Sequence, residues 1–252
     1  MTAVAPLQPE TVRVRWLEVD DTASTKLARW RDLLDEQEQA RADRFRFARD
    51  RDVFIAAHAL LRSMLSEATG VSPDTWRFSI GRYGKPAVAD DSAAGGLRFN
   101  LTHTAGLAAC AIARDDIGVD VEAAERRVDL DLAERFFAPS EVLAVRSAAP
   151  ERRTELFFRF WTLKEAFIKA TGEGLNRRLA SFSFTLAPVR ISFHPLDALD
   201  PCKEDPEQWQ FAEYRPRQDR PLAMALRRSA TRPCGLDARG ACDLCERWLS
   251  PA

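Results

Sequence analysis

The strongest constraint on this chain is a rhythm that occurs twice. In each half a long helical stretch is followed by a run of short, alternating segments. The first stretch runs from about Asp50 to Ala68, where Val53, Phe54, Ala57, Leu60, Leu61, Met64 and Leu65 recur at steps of three and four and mark one face as core. The second runs from Pro150 to about Thr171; proline suits a first helical turn, and Gly172 and Gly174 end the pattern. Behind the first stretch, Trp76, Phe78 and Ile80 alternate, and residues 97–101 and 107–113 read as strands joined by a short turn at His103 to Gly106. Behind the second come Phe182/Phe184/Leu186, Val189/Ile191/Phe193, Trp209/Phe211 and Leu222/Met224/Leu226. A strand opens each half, at residues 11–18 and 117–121, and shorter helical patterns lie at 25–34, 36–47, 130–137 and from Ser140 to about 147. The expected fold is therefore α+β (α/β), a pseudo-two-fold duplication of two similar subdomains without an exact sequence repeat. The expected divisions are residues 1–115, residues 116–230, and an irregular, cysteine-containing tail over 231–252.

Charge excludes several function classes. The chain's 37 Lys and Arg against 38 Asp and Glu argue against a nucleic-acid binder that works through overall charge. No apolar run approaches the roughly 18 residues of a membrane span. The opening MTAVAPLQPETVRVRWLEVD lacks the basic and apolar regions of a secretory leader. Five cysteines make an odd count for a disulfide framework, so the expected setting is reducing and cytoplasmic.

Four constellations carry chemistry. In Gly118-Val119-Asp120-Val121-Glu122, strand alternation puts Asp120 and Glu122 on one face, roughly 6–7 Å apart, a spacing at which two carboxylates share a hard divalent cation such as Mg2+. A solvated strand end fits the same pattern. In Trp161-Thr162-Leu163-Lys164-Glu165-Ala166-Phe167-Ile168-Lys169, the residues Trp161, Glu165 and Lys169 share a helix face. Glu165 and Lys169 read either as an exposed ion pair or, because apolar residues cover most of this helix, as charges in a cleft. Thr102 and His103 lie at the end of a strand after Asn100 and bring hydroxyl and imidazole donors suited to phosphate, or make an ordinary turn. Gly84-Lys85-Pro86 presents one cation in a rigid loop, or is a plain surface turn; it is not a Walker-type phosphate loop. Cys242-x-x-Cys245 has metal-ligand spacing, but Cys202 and His194 are distant as further ligands, so an unligated reduced tail is expected over zinc; Cys110 reads as a small core residue.

The order of these elements is more specific than any one of them. GRYGKPAV, FNLTHTAGLAACAIA, IGVDVE and FFRFWTLKEAFIKATGEGL, preceded by ADRFRFARDRDVFIAAHALLR, resemble the motif series of Sfp-type 4′-phosphopantetheinyl transferases over about residues 38–185. Thr102 and Thr104 stand where the family often has serine, and Val119 where isoleucine is common; the cysteine tail resembles nothing in the family.

The resemblance implies two similar halves with coenzyme A in the cleft between them. It implies transfer of phosphopantetheine from coenzyme A to a serine of an acyl or peptidyl carrier protein, releasing adenosine 3′,5′-bisphosphate. Asp120, Glu122 and Glu165 would hold one Mg2+. Arg41, Lys85, Pro86, Asn100, Thr102, His103, Asp120 and Lys169 would bind the donor, Arg41 at the nucleotide 3′-phosphate. Glu165 and Lys169 would be catalytic, Glu165 as base unless Glu122 or a water takes the proton. The partner is then a transient carrier protein, with no nucleic acid or membrane, and the chain a monomer holding the whole site. Two readings compete: another Mg2+-dependent enzyme of nucleotide or pyrophosphate substrates, and a non-catalytic adaptor that binds a carrier. The intact Asp120, Glu165 and Lys169 argue against the adaptor.

Overall fold

The computed structural model describes residues 6–8, 10–20, 22–125, 131–194, 204–228, 234–241 and 243–249. It divides into two compact units: residues up to Asp115 together with those from Cys234 on, and Asp116–Pro233. Helices and antiparallel sheets occur in both, so the fold is α+β. No helix among the described residues is long and apolar enough to cross a membrane.

The first unit starts with β1 (Thr11–Glu18), followed by α1 (Ser24–Arg31), α2 (Glu36–Ala42) and the 22-residue α3 (Ala48–Thr69). The period of three and four predicts α3 well, and Gly70, at φ 81°, ends it in the left-handed conformation. The hairpin of β2 (Phe78–Ile80) and β3 (Pro86–Val88) follows, then the short α4 (Asp91–Ala94) and a second hairpin, β4 (Arg98–Thr104) and β5 (Leu107–Ala113). β1 pairs antiparallel with β5, α3 packs against β5 and β4, and Phe54, Ala57, Leu60, Leu61 and Met64 are buried in this unit's core.

The second unit repeats that connectivity. β6 (Ile117–Val121) is followed by α5 (Asp131–Phe136), α6 (Pro139–Ser147) and α7 (Pro150–Thr171), which also has 22 residues and also stops at a left-handed glycine, Gly172. A hairpin of β7 (Phe182–Leu186) and β8 (Val189–Phe193) comes next. A longer hairpin of β9 (Trp209–Arg217) and β10 (Arg220–Arg227) closes the unit, and β10 pairs antiparallel with β6 just as β5 does with β1. Its core is aromatic: on α7, Phe157 and Phe160 meet Phe137 behind α5, while Phe167 meets Phe182 and Trp209 of the strands.

Two expectations change. The tail is not irregular. Residues Gly235–Gly240 form β11, which lies parallel to β1 and completes the order β11-β1-β5-β4. Arg15 secures it by donating to the Asp237 carboxylate at 2.6 Å, and Cys245 then enters the first unit's core with no exposed surface. Burial pushes the Cys245 thiol up to about 12, as in a core side chain. Cys242 and Cys202 lie outside the described residues. The turn after β4 is also tighter than expected: Thr102 and His103 are ladder residues opposite Ala109 and Ala108, not the rim of a turn.

Candidate active site

The chemistry-bearing residues of the second unit come from β6 and α7. β6 is buried along its whole length, because one edge pairs with β10 and one face lies on α7. Gly118 sets how near that face can come. A Cβ there would sit 2.0 Å from the Ala166 carbonyl oxygen and 2.5 Å from the Ala170 nitrogen, so only glycine allows the two backbones to touch. Two residues on, Asp120 faces the last turns of α7. Its Oδ1 accepts from the Lys169 ammonium at 2.5 Å, and the same ammonium donates to the Val119 carbonyl at 3.3 Å. Glu122 follows the strand and stays in the ladder direction, its N–H donating to Pro221 O at 3.1 Å.

Glu165 lies one turn before Lys169. Its carboxyl is pushed up to about 7, first by burial and then by the negative charge of Asp120; Lys169 opposes the shift and Glu122 adds to it. Three carboxylates and one ammonium thus share one field, with negative charge in excess. Their oxygen donors are those a hard cation takes. No group of three His, Cys, Asp or Glu side chains among the described residues stands ready to hold a metal, however; Lys169 now serves Asp120, and ligation requires side chains to move.

The other face of α7 carries an ion pair that sequence reasoning missed. Lys164, next to Glu165, is wholly buried. Its ammonium meets Glu141 Oε2 at 2.8 Å, Leu179 O at 2.8 Å and Phe182 O at 2.7 Å. Glu141 also accepts from the Ala138 and Phe184 backbone nitrogens at 3.0 and 2.8 Å. With every polar atom satisfied, this pair fixes the rotation of α7 and so the direction in which Glu165 and Lys169 point. Its signal in the sequence was a lysine within an otherwise apolar helical face. Trp161, on the Glu165 side by spacing, stacks on Phe157 at 5.9 Å instead of standing free.

The remaining predicted residues belong to the first unit. Lys85 is half-buried at the start of β3, its carbonyl accepting from Gly81 N at 2.9 Å, and Pro86 begins the strand. Gly84, at φ 85°, makes the turn that presents them. On β4, Asn100 and Thr102 are buried on one face while His103 is exposed on the other, so the threonine and histidine do not project together as expected. Arg41 is exposed on α2, its guanidinium 5.2 Å above the Phe54 ring.

Residues 116–225 match the 4′-phosphopantetheinyl transferase superfamily, and residues 21–114 match the 4′-phosphopantetheinyl transferase N-terminal family. 4′-Phosphopantetheinyl transferase HetI of a Nostoc species is 42% identical over 158 residues, 62% of this chain and 66% of that protein. 4′-Phosphopantetheinyl transferase Sfp of Bacillus subtilis is 30% identical over 175 residues, 69% of this chain and 76% of the other. L-Aminoadipate-semialdehyde dehydrogenase-phosphopantetheinyl transferase of Homo sapiens is 27% identical over 238 residues, 88% of this chain and 77% of the other. The chain therefore spans about two thirds to three quarters of the length of these relatives. With matches on both units, and with 30% identity to a relative of which it covers 76%, the chain belongs to the 4′-phosphopantetheinyl transferase superfamily.

Proposed function

We propose that this chain moves the 4′-phosphopantetheine group from coenzyme A to a serine hydroxyl of an apo acyl or peptidyl carrier protein. The supporting observation is the meeting of β6 and α7, where Asp120 and Lys169 touch at 2.5 Å beside Glu165. In the reaction the serine oxygen bonds to the phosphorus that carries pantetheine. The bond from that phosphorus to the bridging oxygen of the diphosphate breaks, and adenosine 3′,5′-bisphosphate leaves. Glu165 takes the serine proton. Lys169, already held at the site by Asp120, meets the charge that grows on the departing phosphate. Asp120, Glu122 and Glu165 would hold Mg2+, which when bound neutralises diphosphate charge. Lys85 and His103 take phosphate oxygens, with Pro86, Asn100 and Thr102 shaping their loop and strand, and Arg41 takes the 3′-phosphate. On this reading the chain is a cytoplasmic monomer and the carrier a transient partner.

The test is incubation with coenzyme A, Mg2+ and a panel of apo carrier proteins, followed by mass measurement of the carrier. A gain of one phosphopantetheine is expected. Failure to modify any carrier by protein that binds coenzyme A would overturn the reading in favour of an adaptor. Turnover of a nucleotide or pyrophosphate substrate in its place would favour another Mg2+ enzyme. Lys85→Ala is expected to weaken coenzyme A binding about tenfold, with kcat changed less than about threefold, because a charge-assisted phosphate contact made in both ground and transition state is lost. An unchanged dissociation constant in calorimetry would count against that role.

A further inference from the structure

α2 is seven residues long, far too short to persist in water on its own. Charge holds it in place. Asp35 Oδ1 accepts from Glu38 N at 2.9 Å, and Glu38 Oε2 accepts from Asp35 N at 3.1 Å, a reciprocal cap. Both carboxylates also receive Arg62 of α3: Nε donates to Glu38 Oε2 at 2.8 Å and Nη2 to Asp35 Oδ2 at 2.7 Å. Arg62 has no exposed surface, and its Nη1 donates to Pro73 O and Trp76 O at 2.7 and 3.2 Å. The free side of Glu38, Oε1, meets His58 Nδ1 at 2.7 Å. The His58 ring lies against Phe54, centroids 4.1 Å apart and planes tilted by 35°, and Phe54 is the ring beneath Arg41.

One unbroken set of contacts therefore runs from Arg62 through Glu38, His58 and Phe54 to Arg41. A buried ion cluster adds little net stability over an apolar contact of the same shape, but its directional bonds fix orientation. Arg41 itself has no ion pair among the described residues, and the carboxylate two residues on, Asp43, is engaged by Arg31 at 2.9 Å. An arginine supported by a ring and left without a carboxylate is arranged to meet an anion from outside.

We propose that the Asp35–Glu38–Arg62 cluster, with His58, is a positioning device for Arg41, setting its guanidinium to receive a terminal phosphomonoester of the donor. This rests on the reading of Arg41 as the contact to the 3′-phosphate of coenzyme A; the cluster acts through Arg41 and contributes no group to the chemistry.

Steady-state transfer with coenzyme A and with 3′-dephospho-coenzyme A tests it. Arg41→Ala is expected to raise KM for coenzyme A about tenfold and to leave 3′-dephospho-coenzyme A unchanged. Glu38→Gln is expected to raise KM for coenzyme A about three- to tenfold, with kcat and the dephospho-donor KM within about twofold of wild type. It should add nothing in an Arg41→Ala background, as two residues acting through one contact must behave. His58→Leu, which leaves the Arg62–Glu38 bond in place, should show the same selectivity loss at smaller size and decides the matter where Glu38→Gln does not fold. If Arg41→Ala discriminates the donors while Glu38→Gln and His58→Leu change both equally or neither, the positioning role is overturned and the Arg41 reading stands. If Arg41→Ala treats both donors alike, the Arg41 reading falls and takes the positioning role with it.

Discussion

Replacing Glu165 by glutamine is expected to lower transfer on the order of 10³-fold while making the protein more stable at neutral pH. Both effects come from one environment. The folded protein holds the Glu165 proton up to about pH 7, against an ordinary value of 4.5. Between those two values the folded state binds more protons than the unfolded state, so stability falls as pH rises through the window. Burial of a charge and repulsion by Asp120 are the causes, and neutral glutamine carries no charge for either to penalise. The cost removed is on the order of 2 kcal/mol above pH 7, after allowance for partial solvent screening. Urea unfolding in metal-free buffer should therefore show the variant more stable than wild type at pH 8 and equal to it at pH 4. A stability difference independent of pH would show that neither burial nor Asp120 raises the Glu165 carboxyl, and near-normal transfer by the variant would remove Glu165 from the mechanism.

The second large effect is expected from Gly118→Ala, a single added methyl. At this position it would lie 2.0 Å from one backbone atom of α7 and 2.5 Å from another, and backbone cannot rotate away as a side chain can. β6 and α7 must separate, at a cost of about 3 kcal/mol or more. Separation also draws Asp120 off Lys169, so transfer should be lost in whatever fraction remains folded. Gly235→Ala is the control: its Cβ would meet Glu10 O at an ordinary 3.6 Å, and its melting temperature should change little. A Gly118→Ala protein melting within a degree or two of wild type would contradict the close approach.

The long helices were legible because burial imposes its period on the sequence; α7 occupies Pro150–Thr171, the span its apolar spacing and flanking proline and glycine predict. Asp120, Glu165 and Lys169 were legible because strand and helix periods place them on definite faces. β11 was not, since Gly235–Gly240 has no alternation; it is held by backbone pairing and by Arg15, far away in sequence. The Lys164–Glu141 pair was hidden for a similar reason. A lysine and a glutamate in helices read as surface residues until a partner 23 positions away is known. Thr102 and His103 were misplaced because β4 runs on to Thr104 and leaves only a two-residue turn at Ala105 and Gly106.

The position of β11 has a consequence during synthesis. Residues 11–18 emerge early, yet the strand that covers their outer edge is translated only after the whole of Asp116–Pro233. The nascent first unit therefore carries an open backbone edge, a template for wrong pairing, while the later-made unit already has all its strands. Completion reverses translation order, and chaperone dependence should concentrate on the amino-terminal unit.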